Sequence, residues 1–405
     1  MTRKVFSWAL YDFANTIFSM NIVSRYFPVM VVTVLGGTDL AIGVSRSAAM
    51  VLVALTMPVI GAIADQRNNR RVFLFIFTLA CCLLTAVLNL TGELVTELLI
   101  FGLAIFSYQS ALTFYNALMP SVTTKDKLGY VSGFGVALGY VGSVSGLFIV
   151  AILASKALSP YLWTAILFFV FSLPIFIWVK DKDKAEDTVV VSNASYQKGL
   201  ISSLKRASKF PGLIRFLLGR FFIVEAMETV ILFMAVYLVK AAGFKDNTAN
   251  GGGLDEVTLY LITVTFFTII GSYIWGILTN RYGPKSMLLW AVVLWLVALT
   301  GIVFTESRLL YYLWGGLAGV GLGGVWTADR PLLINIIKDD SKLGEFFGLY
   351  ALSGRLAAVI GPLMWGGIIY LTDSLGTISY KFAIESLFIM MVIGLIILRK
   401  IPDAR

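Results

Sequence analysis

Histidine is absent from the 405 residues, and cysteine occurs twice, side by side at Cys81 and Cys82. Without histidine there is no His-based catalytic triad, no usual zinc site and no histidine proton relay. Adjacent cysteines inside an apolar run make no disulfide framework and read as small packing residues. Charge is scarce too: 14% of residues are charged against 58% hydrophobic, far too apolar a balance for a soluble protein of this size. A cleavable signal is not expected, because the first apolar run starts at Val5, carries Asp12 and is closed by no small-residue cleavage site. Long polar stretches are missing with one exception. Asp181, Lys182, Asp183, Lys184, Glu186 and Asp187 are followed by Lys205, Arg206 and Lys209 before Pro211. In hydrocarbon each such charge costs about 3 kcal/mol, so this stretch belongs in water or on a membrane surface. It divides the chain into expected bundles at 1–180 and 213–405, joined by a linker at 181–212. Within the linker Leu200, Ile201, Leu204 and Ala207 recur at helical spacing opposite Lys198, Lys205 and Lys209, which suggests a short amphipathic helix on the membrane surface.

What fills the rest is apolar runs of membrane-spanning length, about 20 residues each. Twelve spans are predicted: Val5–Leu35, Ala41–Ala64, Val72–Leu90, Leu98–Met119, Tyr130–Ala154, Tyr161–Val179, Leu213–Leu238, Val257–Leu278, Met287–Phe304, Leu309–Ile336, Phe346–Leu371 and Phe382–Leu398. With the N-terminus inside, Arg67, Arg70, Arg71, Lys125, Lys127, Arg281, Lys285, Lys338 and Lys342 fall on the cytoplasmic side with the linker lysines and both chain ends. Only Lys156, Lys240, Lys245, Arg308 and Lys381 fall in outside loops, a bias that sets both termini inside. It also accounts for the net charge of +9 without any nucleic-acid partner.

The two halves are copies. A shift of 215 residues lays Lys127-Leu128-Gly129 on Lys342-Leu343-Gly344 and pairs Gly133 with Gly348, Gly139 with Gly354, Gly146 with Gly361 and Gly61 with Gly276. A shift of 213 residues aligns Thr16 with Thr229, Asp12 with Glu225 and Asn15 with Glu228. A duplicated membrane chain is a transporter layout, in which two repeats move about a central site. In each half an acid and a polar residue at i and i+3 share one helix face, and a carboxylate facing lipid is costly, so both faces should point into the bundle or its cavity. A structural ion pair of Glu225 with Arg220 is the alternative.

Two loops carry a known pattern. Gly61-Ala-Ile-Ala-Asp65-Gln-Arg67-Asn-Asn-Arg70-Arg71 and Gly276-Ile-Leu-Thr-Asn280-Arg281-Tyr-Gly283-Pro-Lys285 resemble the signature loop of the major facilitator superfamily. Glycine there lets two helices approach, and the acid can meet basic groups across the inner seam. Gly61, Asp65, Arg67, Arg71, Asn280 and Arg281 are therefore the gating candidates, with Asn280 in place of the second acid. The run Trp8-Ala-Leu-Tyr11-Asp12-Phe13-Ala14-Asn15, with Phe114-Tyr115-Asn116-Ala117-Leu118-Met119-Pro120 and Glu345-Phe346-Phe347-Gly348-Leu349-Tyr350, resembles the vacuolar-effluxer branch of that superfamily, the autophagy-related amino-acid effluxers and their bacterial relatives. The chain departs from the branch at Val224-Glu225-Ala226 and at Asp329-Arg330, each time by adding acid.

The resemblance implies an all-α polytopic membrane protein of twelve transmembrane helices in two pseudo-symmetric six-helix bundles, with the first, fourth, seventh and tenth helices lining the site. It implies a monomeric secondary transporter of a bacterial inner membrane, moving a small organic solute such as an amino acid without cofactor or metal. Substrate-binding candidates are Tyr11, Asp12, Asn15, Tyr108, Gln109, Tyr115, Asn116, Arg330 and Arg355. Arg355 lies eleven residues past Gly344, about 16 Å along a helix and so near mid-membrane. Glu225, Glu228 and Asp329 are the proton-coupling candidates, because burial favours the protonated carboxyl and lets it titrate during a cycle. A lipid or lysolipid flippase on the same fold, or an uncoupled facilitator, is the rival. An intramembrane enzyme has no support, since no Ser–Lys or Asp–Asp pair has suitable spacing.

Overall fold

A chain in lipid must satisfy its own backbone N–H and C=O groups, and apolar runs of this length do so as helices. The computed structural model describes residues 2–67, 69–123, 128–154, 159–180, 205–248, 253–337 and 343–402, and no β-strand occurs among them. The helices are α1 (Arg3–Phe18), a π-helical stretch (Ser19–Tyr26), α2 (Phe27–Thr33), α3 (Asp39–Arg67), α4 (Arg70–Val87), α5 (Leu94–Val122), α6 (Leu128–Leu153) and α7 (Pro160–Trp178). They continue with α8 (Leu213–Lys240), α9 (Glu256–Tyr282), α10 (Pro284–Phe304), α11 (Arg308–Ile337), α12 (Leu343–Leu371) and α13 (Ile378–Arg399). Among the described residues, eleven helices are long and apolar enough to cross a membrane. The first expected span, Val5–Leu35, forms a helical run from Arg3 to Thr33 that changes pitch part-way. Pro28 explains the change, since its ring presses on the carbonyl of Ser24 and it offers no N–H. Just upstream the Phe27 N–H bonds to the Ile22 carbonyl, the wider step of a π-helix. Most of the linker, 181–204, lies outside the described residues, and with it most of the expected amphipathic helix.

The chain falls into two compact units. Unit 1 comprises Met1–Tyr196 and Phe244–Thr258, and unit 2 comprises Gln197–Gly243 and Leu259–Arg405. In unit 1, α1 packs along α6 and α7, while α4 packs on α5 and α7. In unit 2 the same pairs recur, α8 along α12 and α13, and α10 on α11 and α13. Of the glycines matched in the sequence, Gly139 and Gly146 of α6 face the first helical run, and Gly354 and Gly361 of α12 face α8. Gly142 brings α6 so close to α1 that a Cβ there would stand 2.3 Å from the Phe13 carbonyl oxygen. A Cβ at Gly361 would stand 2.0 Å from Thr229 Oγ1, so α12 approaches α8 in the same manner.

The segment Phe244–Thr258, expected to belong wholly to the second half, instead packs in unit 1. Arg25 is the reason. It is fully buried at the end of the π-helical stretch. Its Nε donates to Thr258 Oγ1 at 3.0 Å, Nη1 to Thr248 Oγ1 at 3.1 Å, and Nη2 to Asp246 Oδ1 at 2.7 Å and to Asp255 Oδ2. Asp255 also caps α9, its Oδ1 accepting the Thr258 N–H at 2.8 Å. One arginine thus orders an otherwise irregular connector through four of its five N–H groups.

Candidate functional site

Within unit 1 the run from Trp8 to Thr16 faces three neighbours. Trp8 and Tyr115 stack at 4.5 Å, Tyr11 and Tyr115 at 4.9 Å, and Trp8 Nε1 donates to the Tyr115 carbonyl at 3.1 Å. The Thr78 hydroxyl donates to the Leu74 carbonyl, so Tyr11 donates to Thr78 Oγ1 at 2.7 Å. Tyr11 and Tyr115 are 0% and 2% exposed, which puts them in the packing between helices rather than on an open face as expected for solute contacts. Asp12 and Asn15 share a face as their spacing requires: Asn15 Nδ2 donates to Asp12 Oδ1 at 3.0 Å. The Tyr108 hydroxyl lies 3.5 Å from Asn15 Oδ1. Asp12 is half-buried beside Gly135, where a Cβ would stand 3.2 Å from Oδ2. Gln109 is half-buried and Asn116 exposed.

Unit 2 holds a second group where α8, α11 and α12 meet. Arg220 Nε donates to Asp329 Oδ2 at 3.1 Å, and the Tyr350 hydroxyl donates to the same oxygen at 2.6 Å. The guanidinium carbon stands 3.6 Å over the Tyr350 ring, while Nη1 donates to the Tyr350 carbonyl at 3.2 Å and to Ser353 Oγ at 3.1 Å. Arg220 therefore pairs with Asp329, which corrects the alternative pairing with Glu225. Five residues along a helix turn the side chain through about 140° off its starting face, so Arg220 meets a neighbouring helix instead. Glu225 is fully buried, and its Oε1 accepts the N–H of Gly361, next to Pro362 in α12. Glu228 is half-buried. Arg330 is half-buried, and Arg355 lies on α12 with its side chain outside the described residues.

The expected gate residues lie in or near the end turns of their helices. Asp65 lies in the last turn of α3, with its side chain outside the described residues. Arg67, Asn280 and Arg281 are exposed. Among the described residues a Cβ at Gly61 would meet no atom within 4 Å, and one at Gly276 only Thr327 Cγ2 at 3.9 Å, so no close helix approach of the expected kind is seen at either glycine there. Arg71 does something the sequence did not suggest. Its Nη1 donates to the Phe176 and Val179 carbonyls at 3.3 Å, covering the C-terminal end of α7. Lys285 Nζ does the same beyond α13, donating to the Ile401 carbonyl at 2.6 Å. Arg71→Ala should lower stability by about 1 kcal/mol, the net worth of a helix-end hydrogen bond. Unfolding midpoints in detergent check this, and an unchanged midpoint would remove the capping role.

Three residues matter more than sequence reasoning gave them: Arg220, Tyr350 and Arg25. Each is a charge or hydroxyl stranded in an apolar span, and that alone calls for a buried partner.

The family described as Vacuole effluxer Atg22 like matches the chain over residues 41–129 and 124–405. The chain belongs to that family. A Bacillus subtilis (strain 168) relative described as an uncharacterized MFS-type transporter, YxiO, is 25% identical over 99% of this chain and 95% of its own length. Autophagy-related protein 22 of Kluyveromyces lactis is 26% identical over 65% of this chain and 57% of its own. Among solved structures, a bacterial homologue of the human lysosomal transporter Spinster has a TM-score of 0.75 at 14% identity, covering 99% of this chain and 98% of its own. A mutant of the nucleoside transporter NupG has a TM-score of 0.73 at 14% identity, covering 98% of this chain and 99% of its own. At such identity the structures speak for the fold alone. This Atg22-like chain is a multi-pass membrane transporter of the major facilitator fold, and its family and fold are not those of enzymes.

Proposed function

We propose that the chain carries a small organic solute, an amino acid or a similar metabolite, by alternating access, driven by protons across a bacterial cytoplasmic membrane. Both termini and the linker lie on the cytoplasmic side in this reading, which impermeant thiol labelling of single cysteines placed at Asp373 (reactive from outside) and Ala194 (protected) would check. The observation that carries the proposal is the placement of Glu225 and Asp329, 0% and 1% exposed, within membrane-length helices of a chain that has no histidine. A carboxyl group inside a membrane span is costly to place there and is by default a functional candidate, as a proton carrier would be. Asp12, with Asn15 and Tyr108, supplies the polar face suited to a solute. Purified protein in liposomes should accumulate solute when a pH gradient is imposed and stop when the gradient is collapsed, leaving labelled lysolipid asymmetry unchanged. Flux indifferent to the gradient would leave facilitated diffusion. Lysolipid movement would turn the reading towards a flippase.

A further inference from the structure

Unit 2 carries a groove between α10, α11 and α13, with a volume of about 560 Å³ and a lining that includes Val293, Leu296, Val297, Trp314 and Phe388. That volume lies in the range of small-molecule sites. Among the described residues no charged side chain lines it. Gly301 shapes it by letting the Trp314 ring lie against α10, since a Cβ there would stand 2.2 Å from Trp314 Cδ2. Val297 is 48% exposed in a helix of membrane-spanning length, so the groove opens towards the bilayer. The two hydroxyls in the lining differ. Thr300 Oγ1 donates to the Leu296 carbonyl at 2.8 Å and is satisfied within its own helix. Thr305, one residue past the end of α10, is 7% exposed, and its Oγ1 has no hydrogen-bond partner among the described residues. A buried hydroxyl in that state calls for an acceptor. Exposed Glu306 and Arg308 follow it and mark the membrane boundary. From Thr305 down to Val293 the groove follows α10 for about 18 Å at 1.5 Å per residue. One leaflet of hydrocarbon is about 15 Å deep.

We propose that this groove holds one acyl chain of a membrane glycerophospholipid, whose ester carbonyl accepts a hydrogen bond from Thr305 Oγ1. Such a lipid carries its acceptor at the membrane boundary and only hydrocarbon beneath it, the order in which the groove presents Thr305 and then its apolar walls. Thr305 Oγ1 is enclosed by protein, so it reaches the ester by turning about Cα–Cβ into another staggered position. Burial of the tail is not what retains the lipid, because tails outside the groove lie in hydrocarbon too. Retention comes from the fit of the tail beside Trp314 and from a hydrogen bond that the bulk bilayer interior lacks. A charged solute would find no partner in this lining. A helix from a second copy would match the apolar length, but its carbonyls are tied up within the helix and would leave Thr305 without an acceptor. The lipid comes from the leaflet that meets the α10–α11 turn, the outer one in the topology proposed above.

The test needs no transport assay. Purified full-length protein in mild detergent is titrated with dioleoyl phosphatidylcholine and with its diether analogue, which keeps the headgroup and tails but has no ester carbonyl. Native mass spectrometry counts the lipid retained. The first lipid should bind wild type about three- to tenfold more tightly as the diester, the worth of one hydrogen bond within a membrane. Thr305→Val, which keeps the shape and removes the hydroxyl, should bring the diester down to the diether and leave the diether unchanged. Val297→Phe, which fills the groove from its open side, should weaken both lipids by about tenfold or more. Ile277→Phe, at an exposed position on α9, should weaken neither. The proposal is overturned if wild type holds diester and diether equally, a comparison that depends on no variant. It is overturned as well if Thr305→Val lowers both lipids by the same factor, or if Val297→Phe retains as much lipid as Ile277→Phe. A lipid-free dimer that Val297→Phe splits would make a second copy the occupant and would also overturn it.

Discussion

Arg25→Met should lower the stability of the protein by about 3–5 kcal/mol, the cost of removing one partner from a buried ionic group. Asp246 and Asp255 would be left with side chains 8% and 2% exposed and no counter-charge from Arg25. Removing the acids as well changes the outcome. The triple variant Arg25→Met, Asp246→Asn, Asp255→Asn should recover most of the loss, because replacing a whole buried ionic group by neutral residues is often close to neutral. Asparagine at 255 can still cap α9 through its side-chain oxygen, so the helix start is retained. Chemical unfolding in detergent measures all the variants. Added salt should change little, since screening acts weakly on enclosed charges. If the triple variant is as unstable as Arg25→Met, the loss comes from packing of the arginine stem and not from stranded carboxylates.

Glu225→Gln should abolish gradient-driven accumulation and leave solute exchange between the two sides intact. Glutamine keeps an oxygen that can accept the Gly361 N–H, so the α8–α12 seam survives. It cannot take up or release a proton, and that is the property under test. Glu228→Gln, at a half-buried position three residues on, should have the smaller effect. Asp12→Asn should instead raise the KM of transport by about tenfold, as expected when a charged hydrogen-bond partner of a solute is neutralised. Accumulation against an imposed pH gradient, set beside counterflow without one, separates these outcomes. Undiminished accumulation by Glu225→Gln would pass the proton-carrying role to Asp329.

The helices were legible from the chain because membrane spans announce themselves by length and apolar content, and Met287–Phe304 differs from α10 only at its first turn. The 215-residue offset also carried structural meaning, since Gly146 and Gly361 both sit where a first and a fifth helix touch. The π-helical stretch was not legible. One wider turn shifts the side-chain period too briefly to show in the spacing of eight residues such as Ser19–Tyr26. Partners of buried charges escaped for a different reason. Arg25 reaches Asp246 across 221 residues and Arg220 reaches Asp329 across 109, and no local spacing rule covers such distances. At Tyr11 an aromatic with a hydroxyl reads equally as a solute contact and as a packed ring whose polar tip has found a threonine.

The arginine clamp also bears on how far the two halves can be interchanged. Under the 213-residue offset that aligns the first and seventh spans, the residue matching Arg25 is Leu238 and the residue matching Asp246 is Thr33. Two copies of the first half, joined end to end, would carry the arginine twice without Asp246. Two copies of the second would carry that acid twice without the arginine. A chain of two like halves would therefore lack the clamp, because Arg25 and Asp246 lie in different halves and neither is matched in its counterpart.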